Sequence, residues 1–150
     1  MKMNREGMTL IVRTVTRISV WLIILYGIYI ALHGHLTPGG GFAGGVIISL
    51  AFLNVTLAYG RKFTSRWLDI GLLGDIEASS ASLILALGIM GMAFGGGFLA
   101  NFLSHGKLFH LVSAGTIPIY NILIGAKVGM ALFVVVWTLA ITRIGEEEEQ

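Results

Sequence analysis

Four apolar stretches constrain the fold of this chain more than any other feature of its sequence. They cover about residues 14–34, 42–59, 78–97 and 119–142. A transmembrane helix needs about 20 predominantly apolar residues to cross roughly 30 Å of hydrocarbon. Only 12% of the residues are charged, whereas a soluble domain carries about a quarter. The sequence therefore predicts an all-α membrane protein with four transmembrane helices, forming one integral membrane domain over residues 1–150.

The first apolar stretch follows a basic N-terminal segment, a combination that also occurs in cleaved signal peptides. A signal peptide ends in a small-x-small cleavage site, but this stretch continues as Ala31-Leu32-His33 and further spans follow it. We therefore expect it to be retained as a membrane helix.

Lys and Arg are distributed unequally between the two sides that alternating spans define. Four lie in the N-terminal segment up to Arg17, three lie between the second and third spans, and Arg143 follows the fourth span, whereas only Lys107 falls on the other side. Positive residues concentrate in cytoplasmic loops. We expect a multi-pass protein of the cell membrane with both termini in the cytoplasm. The acidic residues 146–149 contribute little to this rule and are expected to form a solvated, disordered tail.

Two connections between spans leave alternatives open. In the connection between the second and third spans, Trp67 is predicted to anchor the chain at the membrane interface. Residues 70–74 are apolar there and form either an interfacial helix or the first turns of the third span. In the connection between the third and fourth spans, residues 98–118 mix apolar side chains with His105, Lys107 and His110. This segment is a loop, a short interfacial helix or a re-entrant segment.

The sequence lacks the residues that several classes of function require. The absence of cysteine excludes disulfides, thiolate metal sites and cysteine-held iron–sulfur clusters. No nucleophile–base set and no cofactor motif occurs, and no basic strip with interleaved aromatic residues indicates nucleic-acid binding. His33 and His35 lack a third ligand that would indicate a metal site. We expect no enzyme activity of the chain alone, and no cofactor.

Lys127 is the residue that most strongly indicates a function, because it is a charged side chain inside an apolar stretch. It is the ninth residue of the fourth stretch, roughly 12 Å below the outer end, where a charge costs about 2.5–3.5 kcal/mol. It is either a snorkelling or structurally paired lysine, or a relay group, because the pKa of lysine responds readily to burial. Tyr120 falls on the same helix face. Gly125 and Gly129 form a Gly-x-x-x-Gly pattern that lets a neighbouring helix approach, so Lys127 is expected to face protein or water.

Asp75 and Glu77 are predicted to stand at the cytoplasmic entrance of the third span. Two residues apart on a helix, they point to different faces and are not a shared carboxylate pair. They either complement the positive end of a helix and pair with nearby basic residues, or they take part in the function of the protein. Glu77 is the better functional candidate, since Ser80 and Ala81 on its face leave room for water or a partner. The candidate ion-pathway residues are therefore Lys127, Glu77, Asp75 and His35.

A glycine-rich segment joins the first two spans. Glycines before a helix can bind phosphate, but the Gly-Lys-Ser/Thr ending of a nucleotide loop is missing. Small residues four apart instead favour close helix packing at the start of the second span. The two histidines there can titrate near neutral pH. The candidate packing residues are Gly34, His35, Pro38, Gly39, Gly40, Gly41, Gly44 and Gly45, together with Gly125 and Gly129.

Residues 34–45, Gly-His-Leu-Thr-Pro-Gly-Gly-Gly-Phe-Ala-Gly-Gly, resemble the Gly-His-x-x-Pro-Gly-Gly-Gly-Phe-x-Gly-Gly signature of the MnhB/MrpB family. Members are small membrane subunits of Mrp-type multi-subunit Na⁺/H⁺ antiporters, and the module recurs in membrane-bound hydrogenases and sulfur-reducing complexes. Residues 117–121 and 127–129 also resemble archaeal-type members. The resemblance implies no bound cofactor, no independent catalysis, and other membrane subunits as partners.

Three functions remain as hypotheses. The chain is a subunit that contributes to Na⁺ or H⁺ translocation through Lys127 and Glu77, within an antiporter, a hydrogenase or a sulfur reductase. Alternatively, it is a purely structural scaffold whose Lys127 forms a structural ion pair. A third hypothesis, an autonomous anion channel built on the glycine-rich segment, belongs to a different class and is the one that the sequence favours least.

Overall fold

The structure, a computed structural model, describes residues 8–36, 38–103, 106 and 113–148, with residues 141–148 described by their backbone alone. Helices are the regular elements of this described part, and none of its residues lies in a strand. In chain order they are α1 (Leu10–Leu32), α2 (Gly40–Tyr59), α3 (Arg61–Trp67), α4 (Ile70–Gly95) and α5 (Ile117–Glu148). Four of them, all but the short α3, are long and apolar enough to cross a membrane, which confirms the prediction of an all-α chain with four such helices. The cytoplasmic placement of both termini stays a prediction.

The long helices pack in the spatial order α1, α2, α5, α4. Helix α2 lies between α1 and α5, α5 also packs against α4, and the short α3 contacts α2. The bundle is held at its core by Phe133 and Trp137 of α5 against Leu73 of α4, all less than 10% exposed. Phe52 of α2 meets the ring of Phe133 edge-on, with 5.8 Å between the centroids. Aromatic pairs favour this arrangement, and it packs α2 against α5.

Helix α4 begins at Ile70 and not at residue 78, where the sequence predicted the third span to start. The carboxylate of Asp69 accepts a hydrogen bond from the backbone N–H of Gly71 at 2.9 Å and so caps the helix. Residues 70–74 are therefore the first turns of α4, one of the two alternatives considered. At the other end, Gly96 follows the helix in the left-handed conformation (φ 77°), which glycine adopts without strain.

The last helix is also longer than predicted. It begins at Ile117 and its backbone stays helical to Glu148. The prediction of a disordered acidic tail is therefore wrong for residues 146–148, because glutamate favours helix and continues the preceding turns. Residue 149 lies outside the described part.

The connection between α4 and α5 is a loop where it is described. Its first residues fold back along α4, and the N–H of Leu99 donates to the carbonyl of Gly88 at 3.3 Å. Asn101 then ties the loop to the start of α5: its amide donates to Ala114 O at 3.0 Å, and its Oδ1 accepts from the N–H of Thr116 at 2.9 Å. His105, Lys107 and His110 lie outside the described residues.

Asn101→Ala is expected to loosen the start of α5, because it leaves the buried Thr116 N–H without its acceptor. Losing such a hydrogen bond costs about 1–3 kcal/mol. Amide hydrogen exchange of residues 113–117 should accelerate by about tenfold or more. Asn54→Ala is the matched control, since Asn54 is exposed on α2. Unchanged exchange in Asn101→Ala would contradict this role.

Candidate functional site

Lys127 and Glu77 form an ion pair between α5 and α4. The Lys127 ammonium donates a hydrogen bond to Glu77 Oε1 at 3.1 Å. The pair lies one helical turn from the core contact of Leu73 with Phe133, because Glu77 follows Leu73 by four residues on the same face of α4. The two helices run antiparallel, so their packing brings together residues that are 50 positions apart in sequence.

The pair lies well inside both helices. Glu77 stands roughly 10 Å beyond the start of α4 and Lys127 roughly 15 Å beyond the start of α5, at 1.5 Å per residue. The structure therefore corrects the expectation that Glu77 stands at the entrance of its span, because that expectation rested on a start at residue 78. An isolated charge at such depth costs about 2.5–3.5 kcal/mol. Pairing offsets much of this cost for both side chains.

The ion pair is open on one side. Its side chains retain 41% (Lys127) and 34% (Glu77) of their accessible surface. Ionisable groups within membrane helices almost always face protein or water. We therefore expect this side of the α4–α5 interface to be covered by water or by another membrane protein, and not by lipid chains.

Beyond Glu77, small polar side chains continue along α4. Ser80 is 4% exposed and its hydroxyl donates to the carbonyl of Ile76 at 2.7 Å, so it fills little space at the interface with α5. Asp75, two residues from Glu77, lies on a different face of α4. It is exposed and forms no ion pair within the described part of the chain. The structure thus separates the two carboxylates, as their spacing predicted.

Gly125 and Gly129 lie on the face of α5 that meets α2. A Cβ added to Gly45 of α2 would lie 2.6 Å from Gly125 O and 3.0 Å from Gly129 N. The two backbones are therefore in direct contact. The Gly-x-x-x-Gly pattern brings α2 against α5, whereas Lys127, between the two glycines in sequence, faces α4.

The glycine-rich segment places the start of α2 against two other helices. Gly44 packs on α1, where an added Cβ would lie 2.7 Å from Gly27 O and 2.8 Å from the Ala31 side chain. Gly41 packs on α5, and its N–H donates to Asn121 Oδ1 at 3.3 Å. Asn121 was not among the predicted site residues, although a lone amide in an apolar helix is a sequence signal for a polar contact.

The remaining candidates of the segment lie around this junction. Gly34 contacts Gly40 and Asn121, and Gly39 and Gly40 have positive φ values of 131° and 64°. His35 is half-buried and Pro38 exposed. His33 donates from Nδ1 to the carbonyl of Tyr29 at 3.0 Å and stacks on its ring. Among the described residues, no three His, Asp or Glu side chains come together in a way that would hold a metal ion.

Comparison with known proteins agrees with this architecture. Residues 11–134 match the family described as a domain related to the MnhB subunit of Na⁺/H⁺ antiporter. A Na⁺/H⁺ antiporter subunit of Bacillus subtilis is 34% identical over 144 residues, which cover 93% of this chain and 94% of that protein.

Two further relatives are longer than this chain. An uncharacterised protein of Methanocaldococcus jannaschii is 36% identical over 140 residues, 86% of this chain and 53% of that protein. The chain thus spans about half the length of this relative. A chain of the membrane-bound sulfane sulfur reductase, an archaeal respiratory membrane complex, superposes with a TM-score of 0.74 at 35% identity, over 89% of this chain and 58% of that chain. With these relatives, its matching domain and its four apolar helices, the chain is a multi-pass protein of the cell membrane and belongs to the MnhB family.

Proposed function

We propose that this chain is a non-catalytic membrane subunit of a multi-subunit Na⁺/H⁺ antiporter-type module. We further propose that the module belongs to an energy-converting complex such as a hydrogenase or a sulfur reductase. The similarity to an antiporter subunit of nearly equal length supports the first statement. The similarity to a chain of a sulfane sulfur reductase supports the second.

The observation that carries a role in translocation is the ion pair of Glu77 and Lys127 inside two membrane helices. In the paired state the two charges neutralise each other. A cation that reaches the open side of Glu77 competes with Lys127 for the carboxylate, and in this proposal Lys127 then gives up its proton to water on the open side. When the cation leaves, Lys127 takes up a proton and the pair forms again. Na⁺ or H⁺ movement is thereby coupled to the protonation of Lys127.

A scaffold function is the second candidate, and the glycine contacts favour it. Gly44 and Gly45 bring α2 against both α1 and α5, so the fold itself depends on the most distinctive part of the sequence. In this account the ion pair serves only to hold α4 on α5. The two functions differ in whether the proton of Lys127 has to leave.

Lys127→Arg separates the two functions. Arginine keeps the positive charge and the hydrogen bonds but does not release its proton in proteins. We expect Na⁺/H⁺ exchange by the complete host complex in membrane vesicles to fall by roughly 10²-fold, the usual contribution of a proton-transfer group, while the complex stays assembled on a native gel. Lys62→Arg, at an exposed position of α3, is the matched control. Exchange at the wild-type rate in Lys127→Arg would support the scaffold.

A further inference from the structure

A groove outside the ion-pair site opens between α1, the end of α2 and α3. It has a volume of about 500 Å³, and its walls are almost entirely apolar and aromatic. Trp21 and Trp67 are 70% and 77% exposed at its rim. The residues that define it are Arg17, Trp21, Phe52, Tyr59, Phe63 and Trp67.

Arg17 is the charged side chain in this lining. It is exposed, and its guanidinium forms no hydrogen bond or ion pair with the described part of the chain. It stands roughly 10 Å beyond the start of α1, so its charge lies further into the membrane than the start of that helix. The neighbouring α3 adds three exposed basic residues, Arg61, Lys62 and Arg66. Asp69, which lies between α3 and α4, is engaged in capping α4.

We propose that this groove binds one anionic phospholipid, with an acyl chain against the apolar wall and the phosphate on Arg17. Tryptophan and tyrosine concentrate at the level of lipid head groups, and basic pockets between membrane helices bind anionic head groups. The Arg17 guanidinium, which has no partner among the described residues, matches the phosphate of such a lipid, and the apolar wall matches its acyl chain. The site is independent of the Glu77–Lys127 pair.

The groove is too small to enclose a helix of another subunit, whereas a lipid has to place only one acyl chain in it. One turn of an α-helix is a cylinder about 10–12 Å wide and 5.4 Å long, or roughly 400–600 Å³. The groove of about 500 Å³ therefore has room for little more than a single turn. Its volume lies within the range of about 300–1,000 Å³ that is typical of small-molecule sites.

Native mass spectrometry of the purified full chain tests the proposal, with palmitoyl-oleoyl phosphatidylglycerol and phosphatidylcholine supplied at equal concentration. We expect phosphatidylglycerol to be retained about fivefold more than phosphatidylcholine, the preference that one arginine near an anionic head group provides. Arg17→Gln should remove this preference. Arg66→Gln removes an exposed charge from the same end without touching the groove and should keep it. Val55→Trp fills the groove and should lower the retention of both lipids.

Three results would overturn the proposal. They are equal retention of the two lipids by the wild-type chain, an unchanged preference in Arg17→Gln, and loss of the bound phosphatidylglycerol when the host complex assembles. The last result would assign the groove to a neighbouring subunit. Because Arg17 is exposed and unpaired within the described residues, Arg17→Gln is expected to fold as the wild type does, so the test does not depend on the bulkier Val55→Trp.

Discussion

Replacing Gly45 by leucine is expected to abolish accumulation of the folded chain, and replacing it by alanine to destabilise the chain by about 1–3 kcal/mol, the usual cost of overpacking. The added Cβ meets the Gly125 carbonyl at 2.6 Å and the Gly129 nitrogen at 3.0 Å. Both neighbours are backbone atoms of a helix, so neither can rotate away. Helix α2 has to separate from α5, and the close packing that holds membrane helices together is lost.

Gly74→Ala is the matched control for this prediction. Gly74 also lies within a long helix, but nothing lies within 4 Å of a Cβ added there. Alanine at an unobstructed helical glycine is expected to be neutral or to stabilise by about 0.5–1 kcal/mol. Thermal unfolding of the detergent-purified variants, followed by size-exclusion chromatography, compares them directly. Equal melting temperatures for Gly45→Ala and Gly74→Ala would contradict the α2–α5 contact.

The second large effect concerns the ion pair. Glu77→Gln leaves the Lys127 charge without its partner, and Lys127→Gln does the same to Glu77. Each single variant is expected to lose up to about 3 kcal/mol, the cost of a lone charge within a membrane helix; the partial exposure of both side chains reduces this value. The double variant Glu77→Gln/Lys127→Gln leaves no charge and places two amides in hydrogen-bonding reach. It should therefore be more stable than either single variant.

Asp75→Asn provides the control for the loss of a carboxylate. Asp75 lies on the same helix, two residues from Glu77, but it is exposed and has no ion pair within the described residues. Its substitution should leave both the melting temperature and the yield of host complex unchanged. Strictly additive losses in the double variant, with no recovery over the single variants, would mean that Glu77 and Lys127 do not interact.

The sequence predicts the long helices well because a chain in lipid has to satisfy its backbone internally, which leaves long apolar helices as the simplest solution. It also contains the signal that was missed at the start of α4. Asp69 directly precedes an apolar run, which is typical of an N-cap, and recognising it would have placed Glu77 inside the helix.

The partner of Lys127 was not predictable in the same way. Glu77 and Lys127 are 50 residues apart, and their contact depends on how far α4 slides along α5. That register is set by the packing of Leu73 on Phe133 and Trp137, and apolar periodicity does not specify it. For the same reason, the pattern at Gly125 and Gly129 indicated a close helix contact without identifying α2 as the helix.

Transport by the double variant Glu77→Gln/Lys127→Gln tests the central claim most directly. The host complex carrying this variant is purified, reconstituted into proteoliposomes and assayed for Na⁺/H⁺ exchange. A native gel provides the amount of intact complex. If the pair carries part of the translocation path, the complex should assemble at the wild-type level while exchange falls to background. Exchange at the wild-type rate by the assembled double variant would contradict the account and leave the chain as a scaffold.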